Sequence, residues 1–135
     1  MNRMARFVRM AAALLAAVIG VAGCRHTSPH ATARPPLSGT VEDGTRIVRL
    51  TACRFEFRPS TIVVRRGDRV RLDIFSADVT HGIALREYNI RQTVDAGKTV
   101  SVQFVADRAG EFPFRCPVVC GWAWLKMRGR LIVTM

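Results

Sequence analysis

The stretch Arg69-Val70-Arg71-Leu72-Asp73-Ile74-Phe75 alternates polar and apolar residues through Ile74. A repeat of two fits the pleat of a β-strand, whose successive side chains point to opposite faces, and does not fit the 3.6-residue repeat of a helix. This segment therefore reads as a strand with one buried and one wet face. The same short, β-rich runs continue on both sides of it. Before it come Thr45–Ala52, then Phe55-Glu-Phe57-Arg-Pro59 with apolar residues on alternate positions, then Thr61–Arg65 and a Gly67-Asp68 turn. After it come Gly82–Arg86, Thr99–Val105 with Val100, Val102 and Phe104 on one face, Glu111–Arg115 and Leu131–Thr134. Asp95-Ala-Gly97 and Asp107-Arg-Ala-Gly110 mark turns. No segment carries a sustained helical stripe, and Tyr88–Val94 has room for one helical turn at most. Many short strands at this spacing predict an all-β, antiparallel Greek-key β-sandwich.

The sandwich is expected to occupy residues 45–135, enough for one core and one domain. Residues 1–23 read as an export signal. Arg3, Arg6 and Arg9 precede an apolar run from Met10 to Val21 that is short for a membrane span, and the run ends in Val21-Ala22-Gly23-Cys24. Small residues leading into a cysteine resemble the lipobox of bacterial lipoproteins, which makes Cys24 the expected lipidation site. An ordinary signal peptide or a short anchor is the alternative. Residues 24–44 contain Pro29, Pro35 and Pro36 with no apolar periodicity, and read as a flexible tether. His26 and His30 fall in that tether and are expected to be solvated. The localisation that follows is the bacterial periplasm or cell surface, at a membrane.

The chain carries 21 Lys and Arg against 10 Asp and Glu. Loss of the signal removes Arg3, Arg6 and Arg9 and leaves the excess positive. The basic residues are scattered through the strands rather than interleaved with stacking aromatics, so no nucleic-acid partner is expected. A basic face suits anionic lipid headgroups or an acidic redox partner.

Chemistry concentrates in Cys116-Pro-Val-Val-Cys120-Gly-Trp-Ala-Trp-Leu-Lys-Met127. Two thiols four residues apart and a thioether seven residues later form a sulfur-rich cluster between two late strands. Upstream, in Asp78-Val-Thr-His81-Gly, stands the one histidine that follows the tether. Thiolate, thioether and imidazole together select copper over hard cations. Cys53 shares the parity of Phe55 and Phe57, so it is expected to face the core as a small buried hydrophobe, with intermolecular pairing or a place in the copper site as the alternatives.

Taken in order, Phe55-x-Phe57-x-Pro59, Gly67-Asp68, Asp78-Val-Thr-His81-Gly, Ala109-Gly110-Glu-Phe-Pro-Phe-Arg-Cys116 and Cys120-Gly121 resemble the cupredoxins. The Cys-x3-Cys spacing with Met seven further on is similar to one branch, the binuclear copper A domain of cytochrome c oxidase subunit II and nitrous oxide reductase. The resemblance implies His81, Cys116, Cys120 and Met127 as copper ligands, with the backbone carbonyl of Val118 completing the set. It also implies a second histidine three residues before the methionine, where this chain has Trp124. Indole has an N–H donor but no lone pair for a metal, so one copper ion is expected before two. Trp124 and Trp122 are expected around the ligand set, Trp124 shielding the metal by lying over a monovalent ion.

Two functions follow from the resemblance: electron transfer, or handling of Cu(I), with a redox partner protein or a copper donor or acceptor. A function of another class stays open. Cys116-Pro-Val-Val-Cys120 resembles the redox motif of thioredoxin-fold copper-assembly proteins, which would make the chain a thiol–disulfide oxidoreductase. The late position of the motif and the absence of βαβ alternation speak against it. No catalytic triad, phosphate loop or carboxylate pair is present, so no independent enzymatic activity is expected.

Overall fold

Val70, Leu72 and Ile74 are buried to 1%, 1% and 0% exposure, while Arg69 and Phe75 face solvent. The alternation read from the sequence is thus realised in a strand of a sandwich. The protein is described by a computed structural model covering residues 34–135. The strands are β1 (Thr40–Glu42), β2 (Thr45–Cys53), β3 (Glu56–Arg58), β4 (Thr61–Arg65), β5 (Arg69–Ser76), β6 (His81–Leu85), β7 (Ile90–Val94), β8 (Thr99–Val105), β9 (Gly110–Arg115) and β10 (Arg128–Thr134). Short 3-10 turns occupy Arg86–Tyr88 and Trp124–Lys126.

One sheet runs β1-β2-β5-β8 with β3 on the edge of β2, and the other runs β4-β10-β9-β6-β7. Most pairings are antiparallel. Two are parallel, β2 with β5 and β4 with β10. The chain leaves β2, crosses to the second sheet as β4, and returns as β5 in the direction of β2. That crossing ties the sheets together.

The inward faces interdigitate. Val48, Leu50 and Ala52 of β2 meet Ile62 and Val64 of β4, Ile83 and Leu85 of β6, and Leu131 and Val133 of β10 in one cluster. Phe57 and Phe114 cross it edge to face, with centroids 5.1 Å apart. Each large side chain so buried stabilises the fold by about 1.5–3 kcal/mol before the entropy of ordering is set against it.

Three expectations need correcting. Tyr88–Val94 is not a helical turn. The turn is Arg86–Tyr88, closed by Asn89 at φ 54°, and Ile90–Val94 is a strand. Only Ile90 and Val94 of that strand are buried, so its apolar signal is two residues at opposite ends. Residues 40–42, assigned to the tether, pair with β2 through backbone groups while all three side chains stay exposed. Ser38 also docks, its N–H donating to the carbonyl of Val63 at 2.7 Å. Cys53 does not face the core. It is half-buried, with its thiol 3.8 Å from the Glu56 carboxylate, because the turn at Arg54-Phe55 breaks the parity on which the expectation rested. The Cys24, His26 and His30 assignments lie outside the described residues.

Candidate metal centre

Two strand ends and one loop build the centre. His81 opens β6, Cys116 follows β9, and Met127 immediately precedes β10. The N–H of Cys116 donates to the carbonyl of Met127 at 3.1 Å, closing the loop at its base. The loop presses onto β6 at Gly82, where a Cβ would lie 2.7 Å from the Gln92 carbonyl oxygen and 3.1 Å from Cδ of Pro117. Glycine beside His81 is therefore what lets the cysteine loop approach the histidine strand.

The structure brings His81, Cys116, Cys120 and Met127 together, none more than 7% exposed. The two Sγ atoms are 3.9 Å apart, and Cys120 Sγ is 3.9 Å from Met127 Sδ. Candidate ligand atoms of His81, Cys116 and Cys120 all lie within 4.8 Å of one another. Thiolate sulfurs bound at about 2.3 Å to a shared metal sit roughly 3.8 Å apart, so this spacing suits two sulfurs acting on one centre. The carbonyl oxygen of Val118 accepts a hydrogen bond from the Cys116 thiol at 3.3 Å, which places it beside the sulfurs.

His81 supplies the clearest sign of fit. Its Nε2 lies 2.6 Å from Oδ1 of Asp78, while its Nδ1 is buried without a hydrogen-bond partner. A carboxylate only accepts, so Nε2 holds a proton, and in the neutral ring Nδ1 presents its lone pair. A buried polar atom left alone costs about 1–3 kcal/mol, and a metal beside the sulfurs would supply the missing partner.

Asp78 is the residue whose role the sequence reading missed, although a carboxylate three positions before the histidine was in view. Its Oδ2 accepts from the N–H of Arg54 at 2.9 Å and its Oδ1 from the N–H of Val79 at 2.8 Å. Burial would raise the Asp78 carboxyl. The hydrogen bonds from Arg54, His81 and Val79 outweigh it and hold the group below the ordinary value. Burial also pushes the Cys120 thiol up to about 11, with the neighbouring Cys116 adding to the effect. Cys120 is therefore protonated at neutral pH without metal, and a metal entering here displaces its proton.

Trp124 is half-buried and starts the 3-10 turn, its backbone N–H donating to the Gly121 carbonyl at 3.3 Å. Trp122 does not shield the centre. It is 87% exposed, meets Phe55 edge-on at 5.6 Å, and has the Lys126 ammonium 5.9 Å from its ring centre.

A family model described as the cupredoxin-like domain matches residues 11–133. The chain is a cupredoxin. This cupredoxin is 36% identical over 110 residues to the nitrous-oxide reductase of Ralstonia nicotianae, covering 78% of the chain but only 17% of that enzyme. It is similar in fold to the metal-binding domain of the Cu(I)-exporting P-type ATPase CopA of Streptococcus pneumoniae, with TM-score 0.62 and 17% identity over 73% of this chain and 95% of that one. The periplasmic domain of cytochrome oxidase subunit II of Bradyrhizobium japonicum gives TM-score 0.61 and 17% identity over 70% of this chain and 88% of that one. The cupredoxin sandwich also excludes the thioredoxin-fold form of the oxidoreductase alternative, because no βαβ unit occurs among the described residues.

Proposed function

We propose that this cupredoxin is a periplasmic copper protein, tethered to the membrane through Cys24, that holds one ion for handling as Cu(I). His81 Nδ1, the sulfurs of Cys116, Cys120 and Met127, and secondarily the Val118 carbonyl are its ligands. The observation that carries this reading is the unpartnered Nδ1 of His81 beside three buried sulfurs. Three sulfur donors and one imidazole favour Cu(I). Bound there, copper supplies a soft monovalent ion that can also undergo one-electron exchange. The chain's own part is to keep water out, hold the two thiols and the thioether together so that a metal can displace the thiol protons, and hold the imidazole tautomer. It acts with a copper donor or acceptor rather than as an enzyme alone.

Electron transfer is the second reading, supported by the identity to the nitrous-oxide reductase segment. Anaerobic copper titration with metal analysis, followed by stepwise oxidation under EPR, tests both readings. Carriage predicts one Cu(I) per chain, lost or made exchangeable on oxidation. Electron transfer predicts an ion retained through repeated Cu(I)/Cu(II) cycles. Full copper stoichiometry and affinity in both Cys116→Ser and Cys120→Ser would remove the site altogether.

A further inference from the structure

A row of arginines crosses the outer face of the second sheet. Arg128 of β10 stands directly opposite Arg115 of β9, Arg115 pairs with Ala84 of β6, and Ala84 pairs with Arg91 of β7. Arg86, in the turn after β6, overhangs the same strip. Two grooves of about 260 and 360 Å³ meet there, sharing Ala84 and Arg86 in their linings. Alanine in the middle of the row leaves a floor between the guanidinium groups.

Like charges directly opposite on antiparallel strands destabilise a sheet. Arg46, Arg58, Arg71 and Arg130 pair with Asp68, Glu56, Asp73 and Glu111, and several arginines such as Arg49 and Arg69 stand alone, but among the described antiparallel registers only Arg115 and Arg128 set two arginines directly opposite each other. Among the described residues, Arg86, Arg91, Arg115 and Arg128 form no ion pair, and all four are exposed. Glu87 is the one acid in the groove lining, and its Oε2 has no hydrogen-bond partner. The row also adjoins the metal centre through the chain itself. Arg115 precedes Cys116, Arg128 follows Met127, and the loop between them exposes Val119 at 72%, Trp122 at 87% and Leu125 at 60%.

We infer that this arginine row is the docking site for an acidic segment of a partner protein, whose carboxylates the guanidinium forks grip while its apolar residues cover the exposed loop. Guanidinium matches carboxylate in a planar, two-bond geometry, and a strip several strands wide suits a series of acids better than a single ion. Positive charge steers the encounter, and the apolar loop selects among acidic partners. That the partner exchanges copper or electrons rests on the function proposed above. The binding itself does not, so it is measured with and without copper.

The probe is a hexaglutamate peptide titrated calorimetrically into the full chain at low salt, with inorganic phosphate and phosphatidylglycerol vesicles as parallel arms. The expected result is saturable peptide binding that weakens about tenfold or more in Arg115→Ser/Arg128→Ser and in Arg86→Ser/Arg91→Ser. It should persist in Arg49→Ser/Arg69→Ser on the other sheet. The Arg86/Arg91 pair guards against a loop effect, since Arg128 Nε donates to the Leu125 carbonyl at 3.0 Å. No peptide binding, or equal weakening in the Arg49/Arg69 control, overturns the proposal in favour of general positive charge. Phosphate binding as tightly as the peptide reduces the row to a simple anion site. Vesicle binding that alone depends on these arginines makes the occupant a lipid surface. Peptide binding that persists while copper titration fails leaves the groove standing and removes the copper reading.

Discussion

The two nitrogens of His81 have different neighbours, and the difference can be tested at a single residue. Asp78 fixes the Nε2 proton, and Asp78 is itself held by the backbone of Arg54. Asp78→Asn keeps the shape but removes the acceptor that anchors the tautomer. Copper affinity should fall about 10–100-fold in competition with a Cu(I) chelator, as it does when such outer partners of metal-bound histidine are lost. Affinity equal to the parent would mean that packing alone orients the ring. Trp124 poses the complementary question, because it stands where the copper A pattern has an imidazole. Trp124→His restores a lone pair at the expected spacing and should raise stoichiometry from one copper per chain to two, read by metal analysis and visible absorption. Stoichiometry unchanged at one would show that more than this substitution separates the chain from a binuclear site. The ligand types and their spacing were legible in the sequence because sulfur and imidazole are rare in it. The Asp78 contact was not, since a carboxylate near a histidine acquires meaning only once the turn between β2 and β3 is folded against it.

At the scale of an element, the copper loop depends on glycine where side chains would collide. Gly121 sits at φ +145°, and a Cβ there would meet Cε1 of Phe55 at 2.8 Å. Gly121→Ala should therefore cost about 1–3 kcal/mol through backbone strain and displacement of the Phe55 ring. A lowered thermal midpoint and faster alkylation of the metal-free cysteines are the expected readouts. A midpoint and alkylation rate matching the parent would mean the loop absorbs the methyl without moving. Strands with one apolar face, such as β5 and β8, could be read directly from their period of two. β1 and β7 could not. The first is anchored by backbone hydrogen bonds with every side chain in solvent, and the second carries polar residues between its two buried ends. Cys53 teaches the related lesson that parity holds within a strand and is lost across a turn.

Considered whole, the molecule has an ion pair that joins segments distant in sequence and holds a carboxylate below its ordinary value, and it should contribute to acid sensitivity. Arg46 is buried in β2 and its Nε lies 2.6 Å from Asp68, in the turn before β5, while its Nη1 donates to the Ser38 carbonyl at 3.1 Å. Burial would raise the Asp68 carboxyl, but hydrogen bonds from Arg46 and the Arg65 N–H, with both positive charges, bring it below the ordinary value. A depressed folded-state value gives stability that is complete above the unfolded carboxylate pKa of about 3.9 and lost as pH falls through the folded value. Asp68→Asn should therefore lower the denaturation midpoint at pH 7 and flatten its fall below about pH 4. A parallel acid profile in variant and parent would assign the sensitivity to other groups. Membrane attachment is tested at the same scale: Cys24→Ala should release the chain from the membrane fraction or block its processing, and unchanged retention with normal processing would refute the anchor. The parallel pairing of β4 with β10 has a consequence in time. It joins Thr61 to Arg130, across most of the folded chain, and β10 is the last of the strands to emerge during synthesis or export. Contacts between such distant segments form late and slowly. The nearby pairing of β10 with β9 and the bond from the Cys116 N–H to the Met127 carbonyl already draw Met127 toward the cysteines, but until β4 joins, only one side of β10 is fixed and the loop is freer to open to oxidants. The same two sulfurs serve metal binding and oxidation, so refolding with reductant present until β10 has docked should raise the fraction of protein that binds copper, and an unchanged fraction would show that the thiols are covered early.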